Sequence, residues 1–301
     1  MSLLVTGTIG IDTVETPHKK VENVLGGSAA YFAFAAGLLT PVRLVGVVGD
    51  DFPERFRDLF KGRPIDTDGL ETRTGSKTFR WHGKYLDDPN ERETISTDLN
   101  VISEDAPKIP EQFRDSAFVF LANTHPAIQR GFIGQLTAPK LIVCDTMNLW
   151  IDIARDELVK TLAAVDGIVL NDSEAKMLTG ENNLILAGRG ILKLGPTFVV
   201  IKKGEHGAML VTPGDVFVLP AYPSTKVTDP TGAGDCFGGG MMGYLAARNR
   251  TDTEALKSAL AWGTCVASIT IEDFSLAALA AADKGSLDAR LAEFKAMMIF
   301  E

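Results

Sequence analysis

Short apolar runs separated by helical stretches recur along most of this chain. LLVTGTIGIDTV (3–14) predicts a first buried strand and VRLVGVVG (42–49) a second. AFVFLA (117–122), KLIVCD (140–145), GIVLND (167–172) and TFVVIKK (197–203) continue the series. SAAYFAFAAGLL (28–39), rich in small residues, and FPERFRDLFKG (52–62) predict helices between them. Strands that are apolar throughout, alternating with helices, predict an α/β fold with a parallel sheet covered on both faces. KTFRWHGKYLDDPNERETIST (77–97) breaks the pattern, because it alternates apolar with polar residues around a turn at DDPN (87–90). It predicts a hairpin with one wet face, a small lid beside the main layers. Phe79, Trp81 and Tyr85 share one face of such a strand, and Arg80, His82 and Lys84 the other. The aromatic face either stacks on a ligand, packs the lid's own core, or meets a partner lid. AMLVTPGDVFVLP (208–220) predicts another hairpin, after which the pattern is helical to the end.

Composition narrows the function classes. A chain of 301 residues suits one large domain plus a small appendage. The net charge of -9 argues against non-specific nucleic-acid binding, because an acidic surface repels phosphate backbones. No stretch approaches the roughly 20 apolar residues of a membrane span, and MSLLVTGTIG lacks the basic flank of a signal peptide. Cys144, Cys236 and Cys265 are scattered and odd in number, which argues against a disulfide framework and for the cytoplasm. Four dispersed histidines show no zinc-ligand spacing.

The chemistry gathers in DPTGAGDCFGGG (229–240). Asp235 and the residues after it suggest a helix despite Gly238, Gly239, Gly240 and Gly243, each costing about 1 kcal/mol relative to alanine. Close backbone packing would offset that cost. Gly232, Ala233 and Gly234 then sit at the helix N-terminus, where free N–H groups and the positive end of the dipole form an anion site. An acid beside an anion site is reasonable if it takes a proton from a hydroxyl attacking a phosphoryl group. The alternative is a glycine-rich turn with a capping Asp. GxxxxGK[ST] is absent, the dinucleotide fingerprint fails at Phe237, and protein-kinase signatures are missing.

DPTGAGDCFGGGMM resembles the C-terminal signature of the ribokinase-like (PfkB) carbohydrate kinases. Gly26-Gly27 before a small-residue helix resembles the N-terminal signature, and NDSE (171–174) the NxxE motif. KKGEHGAM (202–209) resembles the family's strand-turn, and ASITIEDFS (267–275) the stretch beside the adenine pocket. The resemblance spans nearly the whole chain. It implies a single three-layer α/β/α domain over 1–301, with a central, mostly parallel sheet. The β lid would be formed mainly by about 77–97 plus a segment near 12–25. It further implies transfer of the γ-phosphoryl group of ATP to a hydroxyl of a small sugar-like alcohol. Asp235 would be the base, with Gly232, Ala233 and Gly234 as the anion hole. Asp12, Gly26, Gly27, Tyr31 and Asn148 would meet the substrate. Asn171, Lys203, Gly204, Gly232 and Gly234 would meet the nucleotide. Asn171 and Glu174 would organise Mg2+, mostly through waters, and Asp229 a monovalent cation such as K+. A homodimer through the lid is also implied.

Some readings stay open beside these roles. Glu174 reads equally as a first-turn acid of a helix, Lys203 as a solvated strand-end lysine, and Asp12 as a turn residue. Cys236 has no activating His near it in sequence and reads as a small buried helix residue. Two features depart from the family pattern. Tyr31 stands where many relatives carry a sugar-contacting Asn. CDTMNLW (144–150) matches a sugar-kinase stretch only loosely, at Asp145 and Asn148, without its Arg. Substrate class is therefore open between a sugar or polyol, favoured here, and a nucleoside or inositol. A non-catalytic sugar sensor is the remaining alternative, opposed by the intact GAGD.

Overall fold

The computed structural model describes residues 1–88 and 91–299. Its strands are β1 (Leu3–Thr6), β2 (Gly10–Glu15), β3 (Lys20–Gly26), β4 (Val42–Gly49), β5 (Ile65–Arg73), β6 (Phe79–Tyr85), β7 (Arg92–Asp98), β8 (Phe118–Leu121), β9 (Leu141–Asp145), β10 (Gly167–Asn171), β11 (Phe198–Lys202), β12 (Ala208–Val211) and β13 (Val216–Leu219). The helices are α1 (Ser28–Ala36), α2 (Glu54–Lys61), α3 (Pro126–Ile133), α4 (Asn148–Ile153), α5 (Arg155–Leu162), α6 (Asp172–Thr179), α7 (Leu184–Leu192), α8 (Ala233–Arg248), α9 (Thr253–Thr270), α10 (Ala277–Ala281) and α11 (Lys284–Ala296). Nine strands form one sheet in the order β13-β12-β11-β10-β9-β8-β1-β4-β5, parallel from β11 to β5. The hairpin β12–β13 extends one edge in antiparallel fashion.

Two apolar cores cover the two faces of this sheet, and alternate residues of each strand feed them. Leu3, Val5, Phe118, Phe120, Val143, Val169 and Val200 face α1, α8, α9 and α11. Leu4, Val119, Leu121, Ile142, Ile168, Leu170, Val199 and Ile201 face α3 and α5–α7. Burial on both faces is the reason these strands read as unbroken apolar runs. The glycines of α8 have the expected purpose. A Cβ on Gly239 would lie 2.5 Å from the Phe32 carbonyl oxygen and 2.7 Å from the Ala35 Cβ of α1.

A second sheet has the order β3-β2-β6-β7, with β2 and β6 parallel. The predicted hairpin is present as β6–β7, although Pro89 and Asn90 of its turn lie outside the described residues. The single strand read over 3–14 is corrected, because β1 belongs to the large sheet and β2 to the small one. The break falls at Gly7-Thr8-Ile9, where the Thr8 carbonyl accepts the Ala29 N–H at 3.0 Å. Every residue there is small or apolar, so the hydrophobic pattern carries no trace of the change of sheet. The edge strand β5, IDTDGLETR, was not read as a strand, because its many acids mask the buried Ile65 and Gly69.

Candidate active site

In the parallel part of the large sheet the C-terminal ends of β8–β11 lie along one edge, and residues of one parity point toward α8. Val143 and Asp145 share that parity on β9, as do Val169 and Asn171 on β10 and Val200 and Lys202 on β11. Asn171 and Lys202 are register partners. Lys202 and Asp145 therefore reach the N-terminus of α8, where Asp235 stands in the first turn.

The glycine loop before α8 is held by three contacts. Asp229 is buried and accepts the Thr231 N–H at 2.9 Å and the Ser275 N–H at 3.1 Å, tying the loop to the chain after Ile271. Gly232 is left-handed at φ 74°, and a Cβ there would fall 2.3 Å from the Tyr31 ring. Tyr31 thus fills the space beneath the loop that any other residue at 232 would need. The third contact comes from the small sheet, where the Tyr85 and Thr231 hydroxyls are 3.1 Å apart. Ala233, Gly234 and Asp235 open α8, so their amides lack intrahelical acceptors.

Asp12 on β2 belongs to the small sheet and points to its buried face. It is 3% exposed, accepts from the Gly27 amide, and leaves Oδ1 without a partner among the described residues. A Cβ at Gly26 would fall 1.9 Å from its Oδ2, so the glycine pair is what admits this carboxylate. The Tyr31 hydroxyl is likewise buried without a partner among the described residues. Burial, with the charges of Asp229 and Asp235 nearby, pushes the Asp12 carboxyl up to about 8. Burial and the negative charge of Asp145 push Asp235 up to about 7, against the opposing charges of Lys202 and Arg92.

Asn171 and Glu174 form a capping box at the start of α6. The Asn171 N–H donates to Glu174 Oε2 at 2.7 Å, and the Glu174 N–H donates to Asn171 Oδ1 at 2.8 Å. The first-turn reading of Glu174 therefore describes its backbone role. Its side chain is also buried, and desolvation raises its pKa, with Lys202 opposing and Asp145 adding to the shift. Among the described residues no group of three or more His, Cys, Asp or Glu is placed to hold a metal ion.

The remaining expected site residues fall elsewhere. Lys203 and Gly204 lie at the turn beyond β11, where the Lys203 N–H donates to the Gly207 carbonyl. Lys202 is the lysine that turns to the glycine loop. Strand alternation distinguishes the two, since Lys203 continues the parity of Val199 and Ile201 toward the opposite core. Asn148 is exposed in the first turn of α4, and the structure brings Trp150 inward in its place. Trp150 Nε1 donates to Asn123 Oδ1 at 2.9 Å, and its ring meets His125 edge-on at 5.2 Å. Neither Asn123 nor Arg92 was singled out in the sequence. Arg92 stacks over Trp81 at 5.4 Å, bonds Tyr85, and its charge reaches Asp12, Glu174 and Asp235. Cys236 is buried with its Sγ 3.5 Å from the Tyr31 carbonyl, and burial pushes its thiol far up, as suits a packing residue.

Comparison with known proteins decides the family, since residues 2–281 match the pfkB family carbohydrate kinases. The chain belongs to that family. It is an ATP-dependent phosphotransferase of the sugar and nucleoside kinase group. A cytidine kinase from Thermococcus kodakarensis is 30% identical over 254 residues, 82% of this chain and 90% of that protein. Solved structures share the ribokinase-like fold. Aminoimidazole riboside kinase from Salmonella enterica, in complex with aminoimidazole riboside and an ATP analog, superposes with a TM-score of 0.78 at 19% identity, covering 97% of this chain and all 100% of the other. Fructokinase from Vibrio cholerae, with fructose, ADP and calcium, gives 0.79 at 18% identity, covering 96% of this chain and 98% of the other. Among the described residues no helix of this PfkB-family kinase is long and apolar enough to cross a membrane.

Proposed function

We propose that this kinase phosphorylates a ribose hydroxyl of a nucleoside with ATP, Asp235 serving as the base. The observation that carries the acceptor side is the pair of orphaned, buried polar atoms, Asp12 Oδ1 and Tyr31 Oη, beside the glycine loop. Leaving such groups unpaired costs about 1–3 kcal/mol each, and the hydroxyls of a ribose would satisfy both. The cytidine kinase, matched over most of both chains, favours a nucleoside over the free sugar or polyol expected from the sequence. The Trp81 ring on the inner face of the small sheet and the Asn123–Trp150 pair supply a stacking surface and an amide suited to a base.

In this mechanism the acceptor hydroxyl lies between Asp12 and Asp235. Asp235 takes its proton as the oxygen bonds to the γ-phosphorus, and the β,γ-bridging bond breaks with its electron pair leaving on ADP. Amides of Gly232 and Gly234 receive the charge on the transferred group, and the Ala233 N–H, which donates to the Pro230 carbonyl at 3.2 Å, would join them only by leaving that bond. Arg92 covers the site from the small sheet, which acts as a lid through the Tyr85–Thr231 contact and excludes water that would hydrolyse ATP. Several acids share little positive charge here, so a divalent cation fits the electrostatics. Mg2+, bound with ATP, neutralises phosphate charge. With no protein-only cage among the described residues, Asn171 and Glu174 would hold it through waters. The groups bonded around Asp229 and Ile271 are engaged with one another, and no step is assigned to K+. Three buried free thiols support a cytoplasmic protein.

The test is a panel of cytidine, other nucleosides, ribose, fructose and inositol with ATP and Mg2+. The expected result is the highest kcat/KM for a nucleoside. A clear preference for a free sugar would replace that acceptor, and no turnover with any of them would sink the reading.

A further inference from the structure

Lys202 ends β11 as a largely buried cation beside the glycine loop. Its ammonium is 3.3 Å from Asp145 Oδ2, with the two side chains 17% and 6% exposed. A Cβ placed on Gly234 would lie 2.9 Å from this ammonium and 3.6 Å from its Cε. The cation therefore sits directly over the anion loop, in the space a side chain at 234 would fill. Burial works against its charge, but Asp145, Glu174 and Asp235 outweigh burial and keep it ionised. A buried ion pair is seldom retained for stability, because desolvation of both charges offsets their attraction. A fixed cation at a site where charge develops is, by contrast, a recurring means of lowering a barrier.

We propose that Lys202, tethered by Asp145, contacts the γ-phosphoryl group of ATP at Gly234 and neutralises the charge that builds on it during transfer. This rests on the phosphotransfer reading above. Asp145 is then a positioning residue, and Gly234 is glycine so that the ammonium can approach the loop amides. The β-phosphate of ADP does not reach the γ position, so the contact should distinguish ATP from ADP.

The experiment measures dissociation constants of ATP and ADP with Mg2+, without acceptor, for wild type, Lys202→Gln and Lys202→Met, alongside kcat on the best acceptor. Wild type is expected to prefer ATP. Loss of the charged contact should narrow that preference about tenfold, with ADP affinity nearly unchanged. The kcat should fall about 10²–10³-fold. Lys202→Met in an Asp145→Leu background removes both members of the ion pair, so Asp145 is not left without its cation, and it should show the same narrowing if the single variants fold poorly. A folded variant that keeps the wild-type ATP preference and kcat would overturn the proposal and reduce Lys202 to a counter-charge for the acids. A wild type that turns over acceptor yet shows no ATP preference would also overturn it, leaving the phosphotransfer reading in place. A wild type that binds neither nucleotide would overturn both.

Discussion

Asp235 faces Asp145, Lys202, Arg92 and, across the acceptor site, Asp12, and this surrounding charge sets its pH behaviour. A base works only when ionised. With its carboxyl raised to about 7, Asp235 as the proposed base should lose activity as pH falls through that value. The kcat/KM for the acceptor, which reports free enzyme, should rise through neutral pH and level off above it. A flat profile from pH 6 to 8 would remove Asp235 from that role. The loop glycines should separate at this scale too. Gly232→Ala forces a left-handed alanine into the Tyr31 ring, and it should destabilise by about 1–3 kcal/mol in a denaturant titration. Gly234→Ala meets only the end of the Lys202 side chain, so it should destabilise less than Gly232→Ala, by no more than the shift of the Lys202–Asp145 pair, while kcat drops. The acid and the loop were legible in the sequence, because GAGD encodes them locally. Lys203 was the lysine read toward the nucleotide, whereas the parity of β11 turns Lys202 toward the glycine loop. Arg92 left no such signal, because its role depends on how a separate sheet folds over.

The Tyr85–Thr231 hydroxyl pair joins the small sheet to the glycine loop. Tyr85→Phe removes that bond and the one with Arg92, each worth about 0.5–1.5 kcal/mol, without altering packing. The expected outcome is faster ATP hydrolysis in the absence of acceptor and a modestly raised acceptor KM. Unchanged hydrolysis would mean that β6 and β7 do not exclude water. Hydrogen exchange in 77–88 and 91–97 should slow with acceptor and nucleotide bound, as expected for a segment that closes. The alternation in β6 foretold a two-faced strand, and the contact with Thr231 identifies the face that meets the site. The joining of β2 and β3 to that sheet was less legible, because β1 and β2 form one apolar run whose bend at Thr8 is held by Ser28 of α1.

In the proposed reading, an acceptor pocket and a phosphate loop lie on either side of one carboxylate. Asp12, Tyr31 and the small sheet lie on one side, and Lys202, Asp145 and the α6 capping box on the other. The layered fold was readable because doubly buried strands have a distinctive composition. The acceptor was not, since it depends on which side chains converge from β2, β6, β8 and α4. The central claim is transfer of a phosphoryl group from ATP to a nucleoside hydroxyl by Asp235. The most direct measurement is mass detection of nucleoside monophosphate, with ADP quantified in parallel, for wild type and Asp235→Asn incubated with cytidine, ATP and Mg2+. The account predicts monophosphate and ADP in equal amounts from the wild type, and a rate lower by about 10²–10⁴ in the variant with ATP affinity retained. Monophosphate formed by Asp235→Asn at a rate within a few-fold of wild type would contradict it.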